Sequence, residues 1–532
     1  MTRARVQWSS NPDQLERGPM TGPLPVQAAE SMARNLRRSH SPPAAVRVVG
    51  AHNNNNQTSN GDDMAASRGR GHYDAFIASK RRHTVEAGFN ATLDAYNLFP
   101  FQADTVRWAL SLGRAAIFAD TGLGKTFMQL AWAREVASHT GRPVLLLAPL
   151  AVAEQTIREA GKFGIDGVHV VACADDVMPG VNVTNYDKLH RFDSDAFSGV
   201  VLDESSILKN AQGRTRNKII AAFSQTPYRL ACTATPAPND YGELGNHAEF
   251  LGVMDEAIMK ARWFINDLGD ILAPWRLKKH AEKAFWRWVV SWARCIGKPS
   301  DMGDYSDDGY NLPQLIETVH HVDVDLTGGR EDGMLFRVPD MSATAIHAEK
   351  RRTCEDRARK VAALVASEPD EPWVIWCDTN YDQDAVTALL PGAIDVRGNM
   401  TPEQKAAGLL RFSDEGGIVV TKPKIAGMGL NWQHSARTAF VGGSYSYEGY
   451  YQAIRRQWRF GQTREVHAHV VMAKTETALW YAIRRKAADH ERMKEMMFRI
   501  SKDAAVSHNA SDPYRPHHSA RIPAWLYTLE TK

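Results

Sequence analysis

The sequence predicts an α/β fold built on two parallel sheets, and three observations support this prediction. At the usual domain size of roughly 100 to 200 residues, a length of 532 residues suits about three or four domains rather than one. The hydrophobic share of 43% and the charged share of 23% are close to the globular average, which excludes a wholly disordered, collagen-like or coiled-coil chain. From about residue 73, short β-rich runs alternate with longer helical ones, the pattern of βα units.

The alternation occurs in two series that are separated by a different kind of segment. We predict a tail at 1–72, a first α/β domain at 73–250, a mainly helical insert and linker at 251–345, a second α/β domain at 346–500 and a C-terminal tail at 501–532. Strands of the first series are predicted at 115–119, 144–148, 168–171, 181–184, 200–202 and 229–232. Strands of the second series are predicted at 373–376, 393–396, 417–420, 438–441 and 467–472.

The first 72 residues lack helical or strand periodicity. They contain a Pro-Pro pair, four consecutive asparagines at 53–56 and several arginines, which indicates a disordered tail. Arginine-rich starts also occur in transit peptides, but acidic residues at 13, 16 and 30 interrupt this one and no apolar stretch follows. A start at Met64, just before the first patterned segment, is an alternative.

Charge, cysteine content and hydropathy narrow the class of protein. A net charge of +3 is too small for nucleic-acid binding by bulk attraction, so any polyanion site must be local. The five cysteines have no short pairing interval, which favours reduced thiols in the cytoplasm over a disulfide framework or a zinc ribbon. The apolar run at 144–153 is about half as long as a membrane-spanning helix requires, so we expect no membrane span.

Residues 119–126, Ala-Asp-Thr-Gly-Leu-Gly-Lys-Thr, follow a predicted strand and open a helical pattern. This is the context of a phosphate-binding loop, in which backbone N–H groups of residues 121–124 (Thr121, Gly122, Leu123 and Gly124) and the helix dipole hold phosphate oxygens. Lys125 would reach the β and γ phosphates, and the Thr126 hydroxyl would ligate Mg²⁺. The alternative is an ordinary glycine turn between strand and helix.

A second group of residues ends the apolar run at 200–202 with two acids, Asp203 and Glu204. At the carboxyl edge of the sheet, Asp203 would hold Mg²⁺ and Glu204 would orient and deprotonate water near the γ-phosphate. An exposed strand-end acid pair without a catalytic role is the alternative.

Arg456 and Arg459 lie three apart on a probable helix of the second domain, in the run Gln-Ala-Ile-Arg-Arg-Gln-Trp-Arg-Phe-Gly-Gln at 452–462. Side chains at this spacing share a helix face, and an arginine that reaches a γ-phosphate stabilises the transition state. The second domain has no phosphate-binding loop of its own, which favours one site at the seam between the domains. A solvated basic helix face is the alternative.

These motifs, in this order, resemble those of the superfamily two helicases, which have two RecA-like domains. The matching segments are residues 119–126, 203–204, 233–236 (Thr-Ala-Thr-Pro), 427–431 (Gly-Met-Gly-Leu-Asn) and 452–459. The runs at 202–210 and 457–463 are similar to the Swi/Snf-like DNA translocase branch, and 98–102 (Leu-Phe-Pro-Phe-Gln) resembles its adenine-reading segment. The chain also looks like phage and prophage DEAD-like helicases. Two departures are Ser205-Ser206 after the acids and Arg455, where the Swi/Snf-like branch usually has aspartate.

The resemblance implies a DNA-dependent ATPase that uses ATP and Mg²⁺ to translocate on or unwind nucleic acid. It implies an adenine contact at Gln102 and a nucleotide contact at Gly429. It also implies contacts of duplex or single-stranded DNA, or alternatively of RNA, with the following residues: Pro149, Thr184, Asn185, Tyr186, Thr233 and Thr235. The setting would be the cytoplasm of a bacterial or phage-infected cell, with phage replication or restriction-modification partners. The alternatives are an RNA helicase and a non-motor scaffold subunit.

The predicted insert is locally basic and rich in tryptophan. Residues 259–298 contain nine Lys/Arg against three acids, and five of the fourteen tryptophans. We expect Arg276, Lys278 and Lys279 to contact DNA phosphates. Tryptophans among cations could stack on bases, but Trp288 and Trp292 recur at helical spacing, which favours a packed stripe.

Overall fold

A computed structural model of the chain describes residues 3–9, 24–25, 45–50, 88–149, 153–266, 275–323, 343–426, 431–443 and 446–506. The chain divides into two compact units, Met1–Arg82 and His83–Lys532.

The first unit contains one small antiparallel sheet. Its strands are β1 (Arg3–Ser9), β2 (Leu24–Pro25) and β3 (Ala45–Gly50), in the order β2-β1-β3. The sequence pattern does not predict these strands. The remaining residues of the predicted tail at 1–72, and nearly all of the predicted C-terminal tail at 501–532, lie outside the described residues.

The second unit contains two lobes, each with its own parallel sheet. In chain order, lobe one consists of α1 (Pro100–Leu112), β4 (Arg114–Ala119), α2 (Lys125–Thr140), β5 (Val144–Ala148), α3 (Ala153–Lys162), β6 (Val168–Val170), β7 (Val181–Asn185), β8 (Gly199–Asp203), α4 (Arg214–Ala222), β9 (Tyr228–Cys232), α5 (Leu244–Leu251), α6 (Glu256–Trp263), β10 (Phe264–Asn266), β11 (Trp275–Leu277), α7 (Glu282–Val290) and β12 (Ala293–Ile296). Its seven-stranded sheet has the order β12-β4-β9-β8-β5-β7-β6, while β10 and β11 form a separate antiparallel hairpin.

Lobe two follows, and its helices and strands are β13 (Leu315–Val322), α8 (Ala343–Arg352), α9 (Cys354–Ser367), β14 (Trp373–Cys377), α10 (Asn380–Leu389), β15 (Ile394–Asp395), α11 (Pro402–Glu415), β16 (Ile418–Thr421), α12 (Pro423–Ala426), β17 (Arg437–Val441), α13 (Tyr447–Ile454), β18 (Val466–Ala473) and α14 (Thr477–Val506). The six strands pair in parallel in the order β13-β18-β17-β14-β16-β15. Two α/β lobes with parallel sheets confirm the predicted fold class.

Both sheets are buried on their two faces. In β4, Ile117 packs into one core cluster and its neighbour Phe118 packs into the other. In β14, Trp376 and Ile375 divide in the same way between the two clusters of lobe two. Burial of both faces explains why these strands are continuous apolar runs. The polar residues at their carboxyl ends lie together at one edge of the sheet, which is where the site forms.

The segment predicted as a helical insert does more than connect the lobes. Besides α6 and α7 it supplies β12, which pairs in parallel with β4 at the edge of the first sheet, and β13, which pairs with β18 in the second. The sequence analysis predicts neither strand. Four of its five tryptophans are buried, namely Trp263, Trp286, Trp288 and Trp292, so these rings pack the core and do not offer a face to bases.

Helix α14 belongs to both lobes. It is 30 residues long, about 45 Å at 1.5 Å per residue. Near its start, Trp480 and Ile483 pack in the core of lobe two, whereas Met493 and Met497 are buried in the core of lobe one. The helix therefore crosses the seam as a continuous element.

No helix in the described ranges has the length and apolarity needed to cross a bilayer. All five cysteines are free thiols, and Cys232, Cys295 and Cys377 are buried.

Candidate active site

The loop between β4 and α2 has the geometry of a phosphate cradle. β4 ends at Ala119 and α2 begins at Lys125, with Gly124 as its N-cap in the left-handed region at φ 75°. Gly122 is also left-handed, at φ 99°. These two conformations turn the backbone so that the first N–H groups of α2 face the loop, where a helix N-terminus favours anions.

The loop has no room for side chains at its glycines. A Cβ at Gly124 would lie 2.3 Å from Nε2 of Gln102. A Cβ at Gly122 would lie 3.0 Å from Cβ of Phe460, a residue of lobe two. The loop is therefore packed against α1 on one side and against the other lobe on the other side.

Gln102, the predicted adenine contact, lies in α1 with its amide against the loop. Its Nε2 donates to the carbonyl of Leu123 at 2.9 Å, and its Oε1 accepts from the N–H of Phe99 at 3.0 Å. The residue is buried and lines the same cleft as the loop. Gln102 therefore holds the phosphate loop through its side-chain amide, and the same amide borders the cleft.

Lys125 points back along the loop. Its Nζ donates to the carbonyls of Ala119 at 2.7 Å and Asp120 at 3.3 Å. Burial lowers the pKa of Lys125, and the carboxylate of Glu204 opposes that shift. An ammonium group bonded only to carbonyls in a partly desolvated cleft is well placed to exchange them for phosphate oxygens.

The two acids lie at the carboxyl end of β8 as predicted, Asp203 as its last residue and Glu204 directly after it, and their environments differ. Asp203 is buried, and its Oδ1 accepts from Nε2 of Gln129 in α2 at 2.9 Å. Burial raises the pKa of Asp203. Glu204 has φ 55°, the one positive φ outside glycine among the described residues and a strained backbone conformation for a residue with a side chain. Burial also raises the pKa of Glu204, to about 7.

Glu204 is coupled to the Thr-Ala-Thr-Pro turn. Oγ1 of Thr233 donates to Oε2 of Glu204 at 3.2 Å and accepts from the N–H of Thr235 at 3.1 Å.

Ser205 and Ser206, which differ from the residues usual in the resembled family, are both buried in this structure. Oγ of Ser205 lies 3.0 Å from Nε2 of His247 in α5, and burial lowers the pKa of that histidine to about 4. The neutral imidazole of His247 is thus the hydrogen-bond partner of the Ser205 hydroxyl.

Arg456 and Arg459 face the same cleft from lobe two, but not from a helix as predicted. Helix α13 ends at Ile454, and both arginines lie in the turns that follow it. This segment bonds to neighbouring loops: Nε1 of Trp458 donates to the carbonyl of Pro313 at 2.7 Å, and the carbonyl of Arg456 accepts from the N–H of Trp432 at 2.9 Å. Burial and then the like charge of Arg459 lower the pKa of Arg456 to about 9. Burial and then Arg455 lower that of Arg459 to about 10.

These groups converge on one cleft of about 370 Å³ between the lobes. Lobe one contributes Lys125, Thr126, Asp203 and Glu204, and lobe two contributes the two arginines. The remaining lining residues are Phe99, Gln102, Thr121, Gly122, Gly124, Phe127, Glu159, Phe163, Tyr310, Asn431, Gln433 and Phe460. The predicted contact at Gly429 lies outside the described residues.

Residues 101–287 match the family model of the SNF2-related domain. The chain is also 28% identical over 158 residues to the SWI/SNF-related matrix-associated actin-dependent regulator of chromatin subfamily A-like protein 1 of Xenopus laevis and to that of Xenopus tropicalis. The similar segment covers 28% of this chain and 16% and 17% of those relatives. The SNF2-related match includes the loop, Asp203 and Glu204, whereas the two arginines lie beyond it.

The cleft is completed by aromatic residues that the sequence analysis did not identify. Tyr310, in a stretch predicted as linker, packs its ring 4.6 Å from that of Phe460 and 5.8 Å from that of Phe101. Phe127 and Phe163 stack with ring centroids 3.4 Å apart. Phe127 directly follows the phosphate loop in the sequence and could have been identified from that position, whereas Phe163 and Tyr310 lie far from the loop along the chain.

Several predicted nucleic-acid contacts are buried within lobe one. The side chains of Thr184, Thr233 and Thr235 are fully covered. Asn185 accepts from the N–H of Lys188 at 3.1 Å, and the hydroxyl of Tyr186 donates to the carbonyl of Asp203 at 2.7 Å.

Pro149 lies half-buried after β5 and lines a small cleft at the seam together with Asn185 and Tyr186. Contact between this whole group and nucleic acid stays a prediction.

The predicted basic cluster of the insert divides between two environments. Nζ of Lys278 donates to the carbonyls of Ala261 and Arg262 at the end of α6, at 3.2 and 3.0 Å. Arg276 and Lys279 are exposed and line a groove of about 310 Å³ against α14.

Proposed function

We propose that the chain is a DNA-dependent ATPase that couples ATP hydrolysis to movement along DNA. The observation that carries the proposal is the shared cleft, which holds Lys125, Asp203 and Glu204 of one lobe opposite Arg456 and Arg459 of the other. The SNF2-related match and the names of the relatives, which are regulators of chromatin, support the same reading.

Each group in the cleft has a role that follows from its chemistry. Lys125 and the N–H groups of the loop would bind the β and γ phosphates of ATP. Glu204, with a pKa near neutrality, would orient and deprotonate the attacking water. Arg456 and Arg459 repel each other across a desolvated cleft, so the charge that develops on the transferred phosphoryl group would be stabilised between them.

The cleft also offers ligands of the kind that Mg²⁺ prefers. Thr126 and Asp203 both line it, and a hydroxyl with one carboxylate is the usual protein contribution to a magnesium–nucleotide site. When bound, Mg²⁺ would neutralise charge on the β and γ phosphates. The hydrogen bond from Gln129 to Oδ1 holds the Asp203 carboxylate in place at the cleft.

The DNA path would run over the surface that continues from the Thr-Ala-Thr-Pro turn to the groove beside α14. The groove brings Arg276 and Lys279 of the insert together with Arg485, Lys486 and Arg492 of α14, against the acids Asp240, Glu282 and Asp489. The balance of charge in the groove is positive, and lysine and arginine side chains suit contact with phosphates and sequence-independent tracking.

The test described below also distinguishes two alternative functions. The same motifs serve strand-separating helicases, on DNA or RNA, and a non-motor scaffold subunit would keep the fold without turnover. The likeness to phage and prophage helicases, with a bacterial cytoplasmic setting and replication or restriction-modification partners, stays a prediction.

The test is ATP hydrolysis by the full chain with no nucleic acid and with single-stranded DNA, duplex DNA, forked DNA and RNA. We expect DNA to stimulate hydrolysis at least tenfold and Lys125→Ala to abolish it, because the P-loop lysine holds the reacting phosphates. Triplex displacement and unwinding of a forked duplex, run side by side, distinguish translocation from strand separation. A wild-type rate that no nucleic acid changes, or an absence of hydrolysis, would refute the proposal.

A further inference from the structure

Asp120 is the second residue of the phosphate loop, and the roles given above do not use its side chain. It is 7% exposed, and its backbone N–H donates to the carbonyl of Ile296 in β12 at 2.8 Å. An aspartate buried within a loop that must bind a polyanion requires a reason, since its charge opposes that of the ligand.

The carboxylate of Asp120 is bonded by side chains that all lie far along the chain. The hydroxyl of Tyr451 in α13 donates to Oδ1 at 2.8 Å. Nη2 of Arg455 lies 3.4 Å from Oδ2, and Nζ of Lys494 in α14 lies 3.2 Å from the same oxygen. We call this set, Asp120 with Tyr451, Arg455 and Lys494, the seam clamp.

The seam clamp is charged in the folded protein. Burial alone would raise the pKa of Asp120, but Lys494 and Arg455 outweigh it and hold that pKa well below its usual range. Burial would lower the pKa of Lys494, and Asp120 with Glu491 reverses that shift. Both cations are buried and share this anion; its loss would remove the carboxylate that faces Arg455, whereas Lys494 would keep its salt bridge with Glu491 at 2.8 Å.

The seam clamp connects the phosphate loop to the arginines that face the cleft. Nη2 of Arg455 also donates to the carbonyl of Thr121 at 3.1 Å, so this one side chain bonds two consecutive loop residues. Arg456 follows it directly in the chain and lines the nucleotide cleft. Contact of Arg455 with the loop therefore fixes where the neighbouring guanidinium can lie.

The seam clamp also includes the helix that crosses the seam. Lys494 is flanked by Met493 and by Met497, both buried in the core of lobe one. Its salt bridge is thus anchored from the lobe-one end of α14, while Arg455 and Tyr451 reach Asp120 from lobe two. The phosphate loop, the α13 segment with Tyr451 and Arg455, and helix α14 therefore meet at the carboxylate of Asp120.

We propose that Asp120 is a positioning residue for ATP hydrolysis, which through the seam clamp ties the phosphate loop to lobe two and holds Arg456 and Arg459 at the cleft. The inference rests on the proposed function, because it assigns a role within that reaction. Asp120 itself touches no reacting atom. Its contribution is to the alignment of groups across the seam, where an error of about 1 Å can cost about 10²-fold in rate.

The test is a mutant cycle on the full chain, read as kcat and KM for DNA-stimulated ATP hydrolysis. Asp120→Asn keeps the shape of the side chain and an acceptor for Tyr451, and Arg455→Gln removes the cation. We expect each to lower kcat about 10- to 100-fold with KM changed less than about threefold, since nucleotide contacts remain. The double variant should be no slower than the slower single variant, because both act through one contact.

Arg484→Met is the matched control. Arg484 is an exposed residue of α14 that pairs with Glu317 of β13, away from the loop. Its loss should leave kcat unchanged and combine additively with Asp120→Asn. If Asp120→Asn does not fold, the pair Arg455→Gln and Lys494→Gln removes the same contacts from the opposite side and gives the equivalent cycle.

Unchanged kcat in the single variants, or losses that add in the double variant, would overturn the inference. So would a lowered melting temperature with normal kcat below that temperature, which is the mark of a purely structural cluster. Absence of wild-type hydrolysis would instead refute the proposed function, so the two failures are distinguishable.

Discussion

Replacing His490 by phenylalanine should make the protein less sensitive to acid. His490 lies in α14 and is 2% exposed, and neither ring nitrogen has a hydrogen-bond partner. Its ring packs 5.7 Å from that of Tyr447 and 5.6 Å from that of Tyr451. Burial and then the cation Lys494 lower the pKa of His490 from 6.5 to about 4, against the attraction of Asp120 and with a further repulsion from Arg455.

The magnitude follows from that shift. The unfolded chain takes up a proton near pH 6.5, whereas the folded chain resists it until about pH 4, so stability is lost as the pH falls between these values. At about 1.4 kcal/mol per pH unit, the full loss from this one group is about 3 kcal/mol, and about 1.4 kcal/mol has gone by pH 5.5. Phenylalanine keeps the ring packing and removes the titration.

The assay is urea unfolding of the full chain at pH 7.5 and pH 5.5, for the wild type, for His490→Phe and for His321→Phe. His321 lies exposed in β13 and serves as the control for the substitution itself. We expect the difference in stability between the two pH values to shrink by about 1.4 kcal/mol in His490→Phe alone. An equal acid loss in wild type and His490→Phe would refute the reasoning, because it would show that this histidine is not buried in its neutral form.

Three further variants test the site and its support. Glu204→Gln should bind ATP with unchanged affinity and lose at least about 10²-fold in hydrolysis rate, as shown by a fluorescent nucleotide titration beside the ATPase assay. Gly124→Ala should abolish nucleotide binding because its Cβ would lie 2.3 Å from Nε2 of Gln102, whereas Gly141→Ala, also at positive φ but with nothing within 4 Å, should lose only about 1 kcal/mol of stability and stay active. Retained binding in Gly124→Ala would contradict that account. Arg357→Met should cost about 3 to 5 kcal/mol in urea unfolding, since Arg357 and its partner Asp382 are fully buried, and a cost below about 1 kcal/mol would show that the pair is dispensable.

The strands could be predicted from the sequence where both faces of the sheet are buried. Val144–Ala148 is a run of five buried residues, and its predicted and observed bounds agree. In the two large parallel sheets, the strands that the sequence analysis missed are Ala293–Ile296 and Leu315–Val322, and both lie at sheet edges. Ala293–Ile296 follows a tryptophan-rich helix with only two residues between, so helical periodicity masks it. Leu315–Val322 is mostly half-exposed and lacks an apolar run.

The candidate site likewise contains residues that could be predicted from the sequence and residues that could not. Lys125, Asp203 and Glu204 could be predicted because short local motifs place each of them at the end of a strand. The partners of Asp120 could not, since Lys494 is 374 residues away and nothing near either residue indicates the other. Contacts of this range depend on how the lobes and α14 pack.

Assembly of the active site from two lobes is tested most directly by single-turnover ATP hydrolysis in Arg459→Ala, with saturating DNA and with nucleotide affinity measured in parallel. We predict an affinity within about threefold of wild type and a hydrolysis rate lower by about 10³-fold, because the arginine acts on the transition state. Arg464→Ala is the control, since it removes an exposed arginine from the same segment as Arg459. Arg464 is paired with Glu371, and the variant should keep the wild-type rate. Hydrolysis by Arg459→Ala at the wild-type rate would contradict the assignment across the seam.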